Sequence, residues 1–209
     1  MLKRSMPKQY DLPGFLRNSD LPDTSDSDSR PTKKAAVLIP LLRKDEDWHV
    51  LFIRRSHRDG DRHSGQVAFP GGKHEADDAS IRHTALREAE EEIGLDQRRV
   101  EVLGELSPYL TISDYRIHPF VSIIPWPLDL TAQDSEVARI FSMPLAWLRD
   151  EDNYYLKIPE NRASLPARVP RRTPAVYYNT YDGELLWGAT ARMTLTLLKA
   201  LDDGQIRID

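Results

Sequence analysis

From Ala35 to Leu42 the chain reads Ala-Ala-Val-Leu-Ile-Pro-Leu-Leu, a nearly unbroken apolar run that predicts a buried strand. The polar turn Lys44-Asp45-Glu46-Asp47 separates it from a second predicted strand, Trp48 to Arg55. After a polar segment and the sequence Phe69-Pro70-Gly71-Gly72, the period changes. Residues 79 to 93 read as a helix, with Asp77 or Asp78 as its predicted N-cap and Gly94 just past its end. Val100 to Tyr109 and Ile117 to Ile124 are further predicted strands, and Pro144 to Leu148 opens a short helix. Tyr154 to Ile158 and Ala175 to Thr180 read as extended. A closing helix over 185–201 carries Trp187, Ala191, Leu195 and Leu198 along one apolar stripe. Strands around one central and one terminal helix predict an α/β fold.

Residues 18 to 33 are almost entirely Ser, Asp, Pro, Thr and Lys, a composition that buries little apolar surface. The expected organisation is therefore a flexible N-terminal segment, 1–33, followed by one domain, 34–204. Leu12 to Leu16 is the only part of that segment with enough apolar character to dock.

Composition narrows the function classes. A formal net charge of −4 gives no reason to expect a nucleic-acid or anionic-membrane surface, both of which favour basic excess. The absence of cysteine rules out disulfides, thiolate metal sites and a cysteine nucleophile. No apolar run approaches the roughly 20 residues that span a bilayer. The expected partner is a small molecule and the expected location cytoplasmic, with a homodimer left open.

The chemistry concentrates in Arg87-Glu-Ala-Glu-Glu-Glu92. At about 100° per residue, Glu88, Glu91 and Glu92 fall within one arc of roughly 100°, while Glu90 points elsewhere. Ala85, Leu86, Ala89 and Ile93 fill the adjoining arc, so the carboxylates stand at the border of a buried face. A solvated acidic surface would explain the cluster, but such surfaces usually intersperse lysines, and Arg87 is the sole cation within it. Oxygens on one helix face, close to a Gly-Gly loop that allows close backbone approach, suit a hard cation such as Mg²⁺ or Mn²⁺.

The stretch Gly72 to Leu95 resembles the Nudix box. Arg87, Glu88, Ala89, Glu91, Glu92, Gly94 and Leu95 match its second half at every fixed position. In the first half the family's glutamate falls on Ala79 and its glycine on Lys73. One extra residue therefore stands between loop and helix, with Asp77 or Asp78 nearest the missing glutamate. The resemblance implies an α/β/α sandwich with a mixed β-sheet and a loop–helix–loop box over 72–95. It further implies metal-dependent hydrolysis of a nucleoside diphosphate linked to another group. Glu88, Glu91, Glu92 and the Gly72 carbonyl are the implied ligands of Mg²⁺ or Mn²⁺, and Arg87 the implied orienting residue for a catalytic carboxylate.

Upstream, Leu51-Phe-Ile-Arg-Arg-Ser56 and Arg62-His63-Ser64-Gly65-Gln66-Val67-Ala68-Phe69-Pro70-Gly71-Gly72 resemble the signature of the coenzyme A pyrophosphatase subgroup. Ile53 replaces its threonine, the Ser56–Gly65 spacing is one residue longer, and its arginine slot falls on Asp61, with Arg58 and Arg62 as substitutes. Segments 136–145 and 187–191 resemble the same subgroup. The implied substrate is coenzyme A or a derivative, cleaved to 3′,5′-ADP and 4′-phosphopantetheine. Arg55, Arg62, His63, Gly65, Phe69 and Gly71 are the candidate substrate contacts, although Phe69 serves equally well as core. Arginine's planar fork suits phosphate recognition. Glu136 is the candidate carboxylate from outside the box, and either it or Glu91 takes the proton of the attacking water. The alternatives are a Nudix hydrolase of ADP-ribose, NADH or a dinucleotide, and a Nudix-fold binding module without catalysis.

Overall fold

Two neighbouring antiparallel strands, β1 (Lys33–Lys44) and β2 (Asp47–Arg55), start the domain. They are joined by a tight turn in which Asp45 and Glu46 both take positive φ. The computed structural model describes residues 33–58, 60, 63–111, 113–158 and 174–208, all within the unit Thr32–Asp209. The predicted N-terminal segment falls outside the described residues except for Lys33, which already belongs to β1. The domain also runs beyond the expected limit of residue 204, because Ile206 is buried against Gly104.

Among the described residues, the main sheet has eight strands. β3 (Val67–Ala68), β2 and β1 run side by side, followed by β7 (Tyr115–Ile123) and β5 (Glu101–Glu105). β4 (Gly71–Lys73) pairs with β1, β6 (Tyr109–Leu110) with β7, and β8 (Val137–Pro144) with β2. The β1–β7 pair is parallel and the others are antiparallel, which makes the sheet mixed. Pro40 is tolerated within central β1 because it lies in a gap along one edge, where β4 pairs residues 35–37 and β2 pairs residues 41–44. β9 (Tyr154–Lys157) and β10 (Ala175–Tyr178) form a separate two-stranded sheet.

Alternation along β1 and β2 gives the main sheet two buried faces. Ala36, Leu38, Leu42, Leu51 and Ile53 pack with Ala85, Ala89, Ile93 and Leu95 of the helix α1 (Ile81–Ile93) and the turn after it. Val37, Ile39, Leu41, Val50 and Phe52 are buried on the opposite side. α2 (Leu145–Arg149) and α3 (Gly188–Asp202) complete the α/β architecture. The stripe of α3 is wider than the expected one, with Met193, Leu197 and Ala200 buried besides Ala191, Leu195 and Leu198. Its start shifts to Gly188, because Trp187 is extended and stacks on Tyr177. β8 is a strand that the hydrophobic pattern did not reveal, since Arg139 interrupts its alternation. Among the described residues, no helix is long and apolar enough to cross a membrane.

Candidate active site

The site forms where β4 meets the C-terminal half of α1. Gly71 and Gly72 are dictated by crowding. A Cβ on Gly71 would lie 2.3 Å from Ala36 O, and one on Gly72 would lie 2.3 Å from Glu88 Oε1. The N–H of Gly71, a candidate substrate contact, donates to Glu92 Oε2 at 2.9 Å. That donor is therefore committed to holding a carboxylate. α1 itself is capped by Ser80, whose hydroxyl accepts from His83 N at 3.1 Å, not by Asp77 or Asp78. It stops at Gly94 (φ 66), whose N–H donates to Glu90 O, the 5→1 bond of an αL cap, while Leu95 N donates to Ala89 O.

Asp78 is free of the capping role because it turns inward to Arg87. Its side chain is 1% exposed and accepts from Arg87 Nε at 2.8 Å and Nη2 at 3.1 Å. Thr84 Oγ1 donates to it at 2.9 Å and His83 Nδ1 lies 3.2 Å away. The Arg87 hydrogen bonds hold the Asp78 carboxyl well below the usual carboxylate range, against the opposing effect of burial. The extra residue between loop and helix thus brings a shorter acid to the arginine one position earlier than the family spacing, at residue 78 rather than 79. Sequence spacing leaves Asp77 and Asp78 equally near the missing glutamate; burial and the hydrogen bonds to Arg87 single out Asp78.

Arg87 then spreads over the carboxylates. Nη1 donates to Glu91 Oε2 at 2.8 Å, and Nη2 reaches Glu88 Oε1 at 3.1 Å and Lys73 O at 3.2 Å. Glu92 is 2% exposed, and burial pushes its carboxyl up to about 7. Burial also raises Glu88. Glu91 differs from both: its side chain is 59% exposed and engaged by Arg87. Glu90 points away and accepts from Gln97.

The opposite wall comes from the loop before β8. Thr131 N and Gln133 N donate to the carbonyls of Ile93 and Glu92, and Glu136 N donates to Gln133 O at 2.7 Å. The loop is thereby fixed to the end of α1, and the charge of Glu136 contributes to raising both Glu88 and Glu92. Arg55 lies at the end of β2 with Nη1 3.9 Å from Glu92 Oε1. Arg54, its neighbour in sequence, projects to the other face and pairs with buried Glu184 at 3.0 Å.

The remaining candidate substrate contacts are more scattered. Phe69 is 2% exposed and stacks on Phe52 at 4.9 Å. It is core, and the expectation of a substrate contact is corrected. Gly65 (φ 71) makes room for His57, whose Nε2 would be 2.8 Å from a Cβ there. His63 Nδ1 lies 3.0 Å from Gln66 Oε1. Arg62 lies outside the described residues.

Among the described residues, no three His, Asp or Glu side chains converge into a ready-made cage for a metal ion. Mg²⁺ does not demand one, because it keeps several waters and is commonly held by one or two carboxylates together with substrate phosphates. The donor set fits that mode. Glu88 and Glu92 are all oxygen, desolvated, mutually repelling and held above their ordinary values, a state that a bound cation would relieve.

Residues 32–162 match the profile of the NUDIX domain. The chain is 37% identical over 163 residues to a Nudix hydrolase of Yersinia pestis (strain Pestoides F), NudL, itself uncharacterised, across 78% of this chain and 77% of that protein. NudL of Yersinia pseudotuberculosis serotype O:1b aligns with the same identity and coverage. A MutT/nudix family protein from Enterococcus faecalis shares the fold, with a TM-score of 0.51 at 16% identity over 93% of this chain and 70% of that one. The chain belongs to the NUDIX family, hydrolases of phosphoric anhydrides in nucleoside diphosphate derivatives that generally use divalent metal ions.

Proposed function

We propose that this protein is a Mg²⁺- or Mn²⁺-dependent pyrophosphohydrolase of coenzyme A or its derivatives, releasing 3′,5′-ADP and 4′-phosphopantetheine. The observation that carries the reading is the pair of desolvated carboxylates, Glu88 and Glu92, facing Glu136 with Arg55 alongside. A cation held by Glu88, Glu92 and the Gly72 carbonyl would supply charge neutralisation on the diphosphate and a more acidic water. Arg87, fixed by Asp78, keeps Glu88 and Glu91 in place. Arg55 supplies a guanidinium beside the acidic pair for a phosphate oxygen. Of the two candidate proton acceptors, both partly exposed and each paired with an arginine, we take Glu136, because its charge acts on both Glu88 and Glu92 from the wall across from them.

Coenzyme A is favoured over other nucleoside diphosphate derivatives by the segment from Arg55 to His63, in which Arg62 and His63 are the candidates for its 3′-phosphate, a group that needs a cation beyond those that hold the diphosphate. The test is kcat/KM for coenzyme A, dephospho-coenzyme A, ADP-ribose and NADH in Mg²⁺. Coenzyme A should lead, and loss of the 3′-phosphate should cost about 10- to 100-fold. Faster cleavage of ADP-ribose or NADH would overturn the choice of substrate.

A further inference from the structure

Arg58 belongs to the segment just assigned to phosphate recognition, yet its guanidinium is occupied elsewhere. Nε donates to Ser135 O at 2.7 Å and Nη2 to Glu136 Oε1 at 3.0 Å. Its backbone is held as well: Ser64 Oγ accepts from Arg58 N at 2.9 Å and donates to Arg58 O at 2.8 Å. Two residues back, Ser56 fastens the same stretch, with its hydroxyl donating to Asp134 O and its N–H to Glu136 O, both at 2.8 Å.

An isolated exposed ion pair contributes little. This one differs in geometry, since a single guanidinium grips a backbone carbonyl and the adjacent carboxylate together. The same design stands on the facing wall, where Arg87 joins the Lys73 carbonyl to Glu88 and Glu91. Each wall of the site therefore carries a carboxylate oriented by an arginine that is itself anchored on main chain. Hydrogen-bond donors behind a metal-site carboxylate fix its direction, and removing them commonly costs 10- to 100-fold in affinity or rate.

We propose that Arg58 is a positioning residue that directs the Glu136 carboxylate toward the cation and water served by Glu88 and Glu92, rather than a reader of substrate phosphate. The inference rests on the proposed metal-dependent hydrolysis and assigns a role to a side chain outside the Nudix box.

The test uses the full-length protein and its variants Arg58→Ala, Arg58→Lys, Glu136→Gln and the double variant Arg58→Ala/Glu136→Gln. Mn²⁺ affinity is titrated calorimetrically without substrate, and kcat and KM are measured on coenzyme A at saturating metal. By charge alone, Arg58→Ala removes a positive group and should tighten Mn²⁺ binding. Positioning predicts the opposite sign: Mn²⁺ binds more weakly in both Arg58→Ala and Glu136→Gln. The kcat should fall about 10- to 100-fold in each with little change in KM. The double variant should be no worse than Glu136→Gln alone, and Arg58→Lys should recover part of the loss. Unchanged or tighter Mn²⁺ binding in Arg58→Ala would overturn the proposal, as would multiplying losses or a rise confined to KM. If the wild type cleaves no diphosphate, the substrate reading fails separately, and the sign of the Mn²⁺ change still decides the role of Arg58.

Discussion

Replacing Glu92 by Gln should stabilise the metal-free protein above neutral pH while abolishing turnover. The Glu92 side chain is almost wholly buried, and its carboxyl is raised by burial from 4.5 to about 7. In the folded state the group holds its proton to higher pH than in the unfolded chain. Folding therefore binds a proton between about 4.5 and 7, and stability falls as pH rises through that window. Above it, the full cost is about 3–4 kcal/mol, from the interval between 4.5 and about 7 at about 1.4 kcal/mol per pH unit. Glutamine resembles the protonated acid in size and can still accept the Gly71 N–H, so it should escape this cost. In a domain of this size the difference corresponds to roughly 6–16 °C in melting temperature. The assay is thermal and urea unfolding in EDTA at pH 5 and pH 8. At pH 5 the two proteins should nearly coincide, and at pH 8 the variant should be the more stable. Saturating Mg²⁺ should reverse the order at pH 8 by stabilising the wild type through binding. Equal pH dependence in EDTA, or a variant less stable than wild type at pH 8, would refute the claim that this carboxylate is buried at a cost that a cation relieves.

Asp78→Ala should cost about 3 kcal/mol in urea unfolding at neutral pH, because it leaves the Arg87 guanidinium without its buried partner. The folded-state pKa of Asp78 is depressed, so its contribution is present above about pH 4 and lost as pH falls below it; the gap between variant and wild type should close in acid. Gly71→Ala should destabilise by about 3 kcal/mol, since its Cβ would meet main chain in Ala36 rather than a side chain that could move; an unchanged urea midpoint would contradict the crowding at β4. A chain beginning at Lys33 should keep the full-length rate constant on coenzyme A, given the low apolar content ahead of it; a large loss in a steady-state assay would give residues 1–32 a part in the site.

The strands that could be read from sequence were those whose pattern comes from burial alone. β1, with its unbroken apolar run, and β2 were visible on that basis, as was the buried side of α1 through Ala85, Ala89 and Ile93. β8 was hidden because its alternation is interrupted by Arg139, which lies opposite Arg54 and is satisfied by Glu184 from far along the chain. The helix start was misjudged for a related reason. Asp77, Asp78 and Ser80 can all cap, and the choice fell to Ser80 once Asp78 was drawn to Arg87. Period-two alternation along β2 sends Arg54 to Glu184 and its neighbour Arg55 to Glu92, on opposite faces. The contacts of Arg58 with Ser135 and Glu136 span some 78 positions, a pairing created only when β8 docks on β2. Phe69 was ambiguous between core and substrate contact until its stack on Phe52 decided for the core.

The most direct measurement separates the products of coenzyme A, incubated with saturating Mg²⁺, by chromatography for the wild type and for Glu88→Gln. The wild type should yield 3′,5′-ADP and 4′-phosphopantetheine in equal amounts, nothing should form in EDTA, and the folded variant should yield neither product. Undiminished cleavage by Glu88→Gln, or wild-type cleavage that persists in EDTA, would contradict the assignment of hydrolysis to the carboxylates of α1.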